Sequence, residues 1–296
     1  MRVLITGNLG FVGSATEKLF KERTLDVVGF DIMNRQDIRD LVQFEQAITI
    51  SQPDRILHLA AIARFSEADK DPKLAHETNV LGTKHVAFVA AKYKIPLVYA
   101  STGSVYMPIK REPPITEDFE CMGNSVYGVT KYLGETYVKS FGQPWIILRY
   151  AHLYGKEKRM HGLIGGFLDR INRGLQPTLY GGQQSNDFTY IKDVAEANYL
   201  AVMASFDKWN QVYNIGTGEE LTAEKAGELV CRLSGYKGKV EVKEGRTVDP
   251  ERFVYDISKA EKMLGFKAQF SFEKGLADMF DDKVLAPTTF QHLGKS

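Results

Sequence analysis

The sequence predicts an α/β protein with a doubly wound parallel sheet and a smaller C-terminal α/β lobe. Three observations predict it. Strand-like and helix-like segments alternate through the first half of the chain. A glycine-rich turn joins the first strand to the first helix, and an acid closes the second strand.

The elements follow in order. In Arg2 to Thr6 the run Val3, Leu4 and Ile5 is continuously apolar, as in a strand buried on both faces. It leads into "TGNLGFVGSATEKLFKE", where Gly7, Gly10 and Gly13 stand three apart before a helical pattern through Leu19 and Phe20. Such a turn lets the backbone approach a pyrophosphate, and the helix N-terminus adds free N–H groups and a positive dipole end. The spacing G-x-x-G-x-x-G departs from the common G-x-G-x-x-G. The next strand, "DVVGFD", ends in Asp31, where an acid would bind the ribose 2′-hydroxyl of NAD and repel the 2′-phosphate of NADP. Arg35 lies near enough to blur that preference. Singly, these are a tight turn and a strand-end acid; in register, they point to a dinucleotide.

A helical pattern over 38–50 precedes a strand over 55–61, "RILHLAA". "ETNVLGTKHVAFVAAKY" reads as a helix, and "PLVYAS" and "PWIILRYA" as strands. Alternation of this kind implies right-handed crossovers and a ligand crevice at the strand C-terminal ends. After about residue 155, glycines punctuate shorter segments, among them a strand and helix in "NDFTYIKDVAEANYLAVMA" and a strand in "VYNIG". The expected division is 1–155 for the dinucleotide and 156–296 mainly for substrate, with some segments returning to the first domain. The tail "APTTFQHLGKS" has little core potential.

Bulk properties narrow the function classes. The 296 residues are 44% hydrophobic and 25% charged, ordinary for a globular protein with a substantial core. A net charge of +1 gives no general attraction to nucleic acid or to an anionic membrane. Cys121 and Cys231 stand far apart in no metal-like spacing, which fits a reducing compartment and no metal site. No apolar run approaches a membrane span, and "MRVLITG" opens without a signal-peptide layout, so a cytoplasmic protein is expected.

The chemistry gathers at the strand ends. "LVYAS" runs into "STGSVY", whose hydroxyls stand where a substrate alcohol or carbonyl would be bound, or form an ordinary polar loop. In "SVYGVTKYLGE", Tyr127 and Lys131 are one helical turn apart and leave the same face. The pair reads either as surface packing of an aliphatic stem on a ring, or as a tyrosine whose pKa an ammonium lowers for proton transfer. If that helix packs beside the "LVYAS" strand, Thr102, Tyr127 and Lys131 meet near one point.

These segments together resemble an extended short-chain dehydrogenase/reductase of the nucleotide-sugar epimerase and dehydratase group, a Rossmann-fold family. The likeness is carried by "TGNLGFVG", Asp31, "DIRD", "HLAA", "NVLGT", "STGSVY", "YGVTK" and "LRYAHLYG". It continues through "NDFTYIKDVAEA", "YNIGTGE" and "DISKAEKMLGF", nearly end to end. The resemblance implies NAD as cofactor. Tyr127 would be the acid/base, Lys131 would lower its pKa and hold the nicotinamide ribose, and Thr102 would bond the reacting oxygen. Gly7, Gly10, Phe11, Val12 and Gly13 would hold the pyrophosphate, Asp31 the adenosine ribose, and Asp37 and Ile38 the adenine. Ile32, Leu59, Ala60, Ala61, Asn79, Ser101 and Tyr150 would complete the cofactor pocket.

Substrate expectations follow from the same resemblance. Dehydratases carry an Asp-Glu pair after the threonine, whereas Gly103 and Ser104 stand here. That leaves the minimal set for a 4-epimerase working through a 4-keto intermediate, on a UDP-sugar. A 4-keto-sugar reductase is the second reading, since the Asp31–Asp37 link is short and "EPPITEDFECMGNSVYGVTK" resembles such enzymes. A regulator that binds dinucleotide without turnover is a third, though such relatives tend to lose the tyrosine or lysine. His152 and Asn186 replace the usual Asn and Arg around the diphosphate, and Arg246 and Asp249 match a late diphosphate region. Ser104 would face the sugar, and Arg64 and Arg159 read as anion contacts or as solvated arginines. His161 reads as a loop histidine or a second catalytic group. A homodimer is expected across the helix after Asn79 and the helix of Tyr127, with Phe88, Tyr93, Tyr132 and Tyr137 exposed.

Overall fold

The structure, a computed structural model, describes residues 1–109, 111–156, 162–245 and 251–281. Its centre is a six-stranded parallel sheet. In chain order the first half comprises β1 (Arg2–Thr6), α1 (Phe11–Glu22), β2 (Asp26–Phe30), α2 (Leu41–Ser51) and β3 (Arg55–His58). Two short helices follow, α3 (Phe65–Lys70) and α4 (Pro72–His76), then a π-helical stretch Glu77–Gly82 that runs into α5 (Thr83–Lys92). β4 (Leu97–Thr102), α6 (Val126–Ser140) and β5 (Trp145–Tyr150) complete this half.

The second half holds β6 (His152–Tyr154), α7 (Gly162–Asn172), β7 (Thr178–Tyr180), β8 (Ser185–Asn186), β9 (Phe188–Tyr190) and α8 (Ile191–Met203). Then come β10 (Gln211–Ile215), β11 (Leu221–Thr222), α9 (Ala223–Leu233), β12 (Glu241–Lys243), β13 (Arg252–Phe253), α10 (Ser258–Leu264) and α11 (Phe272–Asp281).

The sheet order is β10-β5-β4-β3-β1-β2. The chain therefore moves outward from β1 to β2, then crosses back to β3, and the crevice at that reversal is the ligand site of such sheets. Strand side chains alternate between two cores, as the two-residue period requires. Val3, Ile5, Leu57, Val98, Ile146 and Leu148 join Phe20 of α1 and Val194 and Ala197 of α8. Leu4, Ile56, Leu97, Tyr99 and Ile147 join Phe44 and Ile48 of α2, Val86 and Val89 of α5 and Val138 of α6. Such strands read as unbroken apolar runs because both faces are covered.

β10 is supplied by the second half yet pairs with β5 along Gln211–Ile215. At the other edge β2 has no outer neighbour among the described residues, and a single 3₁₀ turn, Ile32–Asn34, lies between it and Asp37. The helical pattern expected from residue 38 begins instead at Leu41, because Asp40 caps α2 by accepting from Gln43 N, and Arg39 folds back on Asp37. Phe88 and Tyr93 are exposed, whereas Tyr132 and Tyr137 are half-buried, Tyr137 lying on Phe141. Among the described residues, no helix is long and apolar enough to cross a membrane.

Candidate active site

The glycine turn forms a cradle that side chains would fill. Gly7 has φ +72°, and a Cβ there would lie 2.7 Å from Ala60 N. A Cβ on Gly13 would lie 2.1 Å from the Gly7 carbonyl oxygen. Gly10 stands at the N-cap of α1 with no side-chain cap, so the first-turn N–H groups of Phe11, Val12 and Gly13 are left to a ligand. Asp31 is buried; its Oδ2 accepts from Leu9 N at 3.0 Å and its Oδ1 from Met33 N at 2.9 Å. The acid thus ties the end of β2 to the glycine turn while retaining lone pairs for a diol. An uncapped helix start, a side-chain-free cradle and a carboxylate in register fit a dinucleotide. Gly13→Ala is expected to weaken NAD retention at least tenfold and to lower the melting temperature, because Gly7 backbone must move; isothermal titration and thermal melts check this.

The reacting groups come from β4 and α6. Ser125 caps α6 by accepting from Gly128 N at 3.1 Å, which starts the helix one residue before Tyr127. Gly128 lets it lie on the turn after β4, since a Cβ there would be 2.7 Å from Ser104 O. The Tyr127 phenol hydrogen-bonds Thr102, and its ring packs edge-on against Phe65 at 5.3 Å. Thr102 Oγ1 lies 3.3 Å from Ser104 Oγ. Thr102, Ser104 and Tyr127 are thus brought together.

In the protein alone burial dominates at Tyr127 and pushes the phenol up to about 12, with the Thr102 hydrogen bond opposing. Burial likewise brings Lys131 down to about 7, against the pull of Glu135, so the ammonium is itself easily discharged.

Several side chains expected in the cofactor pocket are turned inward. Ser101 Oγ donates to Glu135 at 2.6 Å, and the Tyr150 hydroxyl donates to Asn198 at 2.6 Å. Asn79 spends its amide on Ile62 O and Thr130 Oγ1 and accepts from Ile62 N, so it ties the loop after β3 to α6. The Ile38 side chain is core, packed against Gly82. The Asp37 carboxylate is held by Arg39 at 2.6 Å, which keeps its pKa below the usual range. Beside it an open groove of about 620 Å³ runs past Val42, Leu81 and His85. Ile32 is exposed, and Leu59, Ala60 and Ala61 are partly exposed along the crevice.

On the substrate side, His152 is open to solvent, with its ring beside that of Phe188; desolvation brings its pKa down to about 4. Its ring stands 5.1 Å from that of Phe253, which packs where a Cβ on Gly103 would be. Asn186 pairs in register with Leu221 and Phe253 in a three-stranded sheet. Arg64 ion-pairs with Glu67 at 3.0 Å. Arg159, His161, Arg246 and Asp249 lie outside the described residues. Among the described residues, no three His, Cys, Asp or Glu side chains could hold a metal ion.

Sequence reasoning missed the support beneath this site. Glu135, one turn beyond Lys131, is 0% exposed and takes Arg149 Nε at 2.9 Å and Nη2 at 2.7 Å. Arg149 Nη1 donates to Tyr106, whose hydroxyl donates to Asn214 of β10. A signal was present for Arg149, an arginine inside the apolar run "WIILRY", but not for Glu135, which stands in a helix of mixed polarity. Asp187 is also buried and accepts from Thr217 N and Gly218 N, closing the turn after β10.

A parallel sheet with a dinucleotide cradle and a Thr-Tyr-Lys set at its strand ends defines an NAD-dependent oxidoreductase-type fold. Residues 3–216 match the model of the NAD dependent epimerase/dehydratase family, and the chain belongs to that family. The resemblance to extended short-chain dehydrogenases/reductases is thereby borne out. A provisionally named UDP-glucose 4-epimerase of Methanocaldococcus jannaschii is 30% identical, aligned over 93% of this chain and 95% of its own. The UDP-glucose 4-epimerase of Thermus thermophilus, solved with NAD, superposes with a TM-score of 0.85 at 30% identity, covering 95% of this chain and 98% of its own. That of Thermotoga maritima, solved with UDP-glucose, has a TM-score of 0.86 at 28% identity, covering 94% and 97%.

Proposed function

We propose that this protein is a 4-epimerase of a nucleoside-diphosphate sugar, with a UDP-hexose the leading substrate, and that it works with retained NAD. The observation that carries this is the turn after β4. Thr102 is followed by Gly103 and Ser104, so the described residues there supply no acid pair for elimination of water. Gly103 is packed against Phe253 and Tyr255, which leaves no room for a larger side chain.

NAD, when bound, supplies the two-electron acceptor and donor, and in its oxidised form a positive charge favouring the phenolate. Tyr127 takes the proton from the C4 hydroxyl and returns it to the C4 oxygen after the keto sugar has turned over. Thr102 bonds that oxygen and fixes the phenol, and charged Lys131 favours its ionised form. His152, neutral near pH 7, offers the sugar nucleotide a hydrogen-bonding group that adds no charge beside the diphosphate. Arg246, Asp249, Asn186, Ser104 and Arg64 are the proposed substrate contacts. Residues 1–155 carry the dinucleotide and most of 156–296 the sugar.

We further place the enzyme in the cytoplasm, on its two free cysteines, and assemble it as a homodimer. Leu81, Phe88, Val129 and Leu133 are each more than a third exposed on neighbouring faces of the helices before and within α5 and α6. Burying those side chains twice supplies an apolar interface centre.

The test mixes purified protein with UDP-glucose, UDP-galactose and their uronic and N-acetyl counterparts, with no added nicotinamide cofactor. Proton NMR is expected to show the C4 epimer of one of them. If no epimer forms from any donor and added NADH or NADPH is oxidised by 4-keto sugars, the enzyme is a reductase.

A further inference from the structure

Lys131 is only 3% exposed, and among the described residues no carboxylate is paired with it. The nearest candidate, Glu135, is committed to Arg149 and Lys139. What lies at its Nζ is a ring: the Tyr99 centroid, 4.0 Å away. Tyr99 is wholly buried in β4 and held on every side. Its hydroxyl donates to the Lys131 carbonyl at 3.4 Å and is hydrogen-bonded by Thr83. Its ring stands 5.5 Å from that of His58, tilted by 34°. The Thr6 and Thr83 hydroxyls flank the two His58 nitrogens at 2.7 and 3.0 Å. Above it α6 comes close only because residue 134 is glycine; a Cβ there would be 2.3 Å from the Tyr99 hydroxyl oxygen.

We propose that Tyr99 is the positioning residue for Lys131, its ring face serving as a platform that holds the side chain in place and favours its charged form without a counter-ion. This rests on the reading of Lys131 as part of the reacting set. An aromatic face attracts a cation through its quadrupole and does so best when both are desolvated. A carboxylate in the same place would hold the ammonium more tightly, but would cancel the field that favours a phenolate at Tyr127. The ring stabilises the charge and leaves that field intact. The groups facing Lys131 are Tyr99 from β4, His58 from β3, and Tyr127 and Glu135 from its own helix. His58 is kept neutral by burial, since its pKa lies well below the usual value, and the Tyr99 pKa lies well above its own. Neither ring competes for charge near neutrality.

The test replaces Tyr99 by phenylalanine and by its 3,5-difluoro and 3,4,5-trifluoro analogues, which keep the ring's shape and weaken its negative face stepwise. The Lys131 titration is followed in the holoenzyme through the ¹³Cε shift of labelled lysine, and kcat and KM are measured against pH. Tyr99→Phe is expected to leave the lysine pKa within about 0.3 of wild type. Fluorination is expected to lower it progressively, by about one unit at the trifluoro ring, a tenfold change in the equilibrium. The alkaline limb of kcat moves down in step, because activity is lost where Lys131 discharges, while KM for the sugar nucleotide changes less than threefold. A flat titration series overturns the proposal, as does Tyr99→Phe behaving like the trifluoro ring, which would assign the effect to the hydroxyl. The lysine titration is independent of turnover, so failure of the epimerase reading and failure of the platform give different results.

Discussion

Tyr127→Phe is expected to reduce kcat by about 10²–10⁴-fold, the range for removing a positioned acid/base, with little change in substrate KM or melting temperature. The ring would keep its edge-on contact with Phe65, and α6 would keep its Ser125 cap. Only the phenol oxygen and its hydrogen bond to Thr102 are lost, worth about 1 kcal/mol of stability. Rate by NMR and stability by thermal melt separate the two effects. A kcat within tenfold of wild type would remove Tyr127 from proton transfer.

Glu135→Ala is expected to cost about 3–5 kcal/mol of folding stability, the usual penalty for stranding one partner of a buried ion pair. Arg149 is 3% exposed and would be left with no anion in a site built around one. Its remaining partners, the Tyr106 hydroxyl and the Glu117 carbonyl, are neutral. The pair also has a pH signature. Burial alone would raise the Glu135 pKa, but the hydrogen bond and charge of Arg149 outweigh it and hold it below the ordinary value. A carboxyl depressed in the folded state contributes stability that is complete above its unfolded pKa, about 4.3. That contribution is lost as the pH falls from there through the folded value. Urea midpoints measured from pH 7 down to pH 3 should therefore fall more steeply in the wild type than in the variant. Parallel curves would show that Glu135 is not ionised against Arg149.

The parts legible from the sequence are those that local pattern determines. Val3 to Ile5, Ile146 to Leu148 and the glycines at 7, 10 and 13 announce strands and a cradle, because burial on two faces and a side-chain-free turn leave their mark on neighbouring residues. Thr102 and Tyr127 could be brought together because a strand end and a helix start leave few ways to pack. The direction of single side chains was not legible in this way. Ser101, Asn79 and Tyr150 stand at crevice positions, yet each spends its polar atoms on Glu135, Ile62 or Asn198, partners 34, 17 and 48 residues away. The balance at Tyr127 and Lys131 was equally hidden. Spacing reports that two groups are near each other, but desolvation depends on everything packed around them. The late start of α2 turned on the Asp40 cap and on Arg39 folding back onto Asp37, side-chain contacts that compete with helix extension.

β10 carries a consequence for how the protein is made. The central sheet is finished by a strand that leaves the ribosome long after the strand it pairs with: β5 ends at Tyr150 and β10 starts at Gln211. At roughly 5–20 residues per second, that delay is several seconds. Throughout it the nascent chain presents "WIILRY" as an open edge, and Tyr106 and Ile115 still lack the Asn214 side chain that joins them. Unpaired edges of this kind recruit other strands. The interval between β5 and β10 is therefore the vulnerable period of synthesis, and it is there that a chaperone would have most to protect.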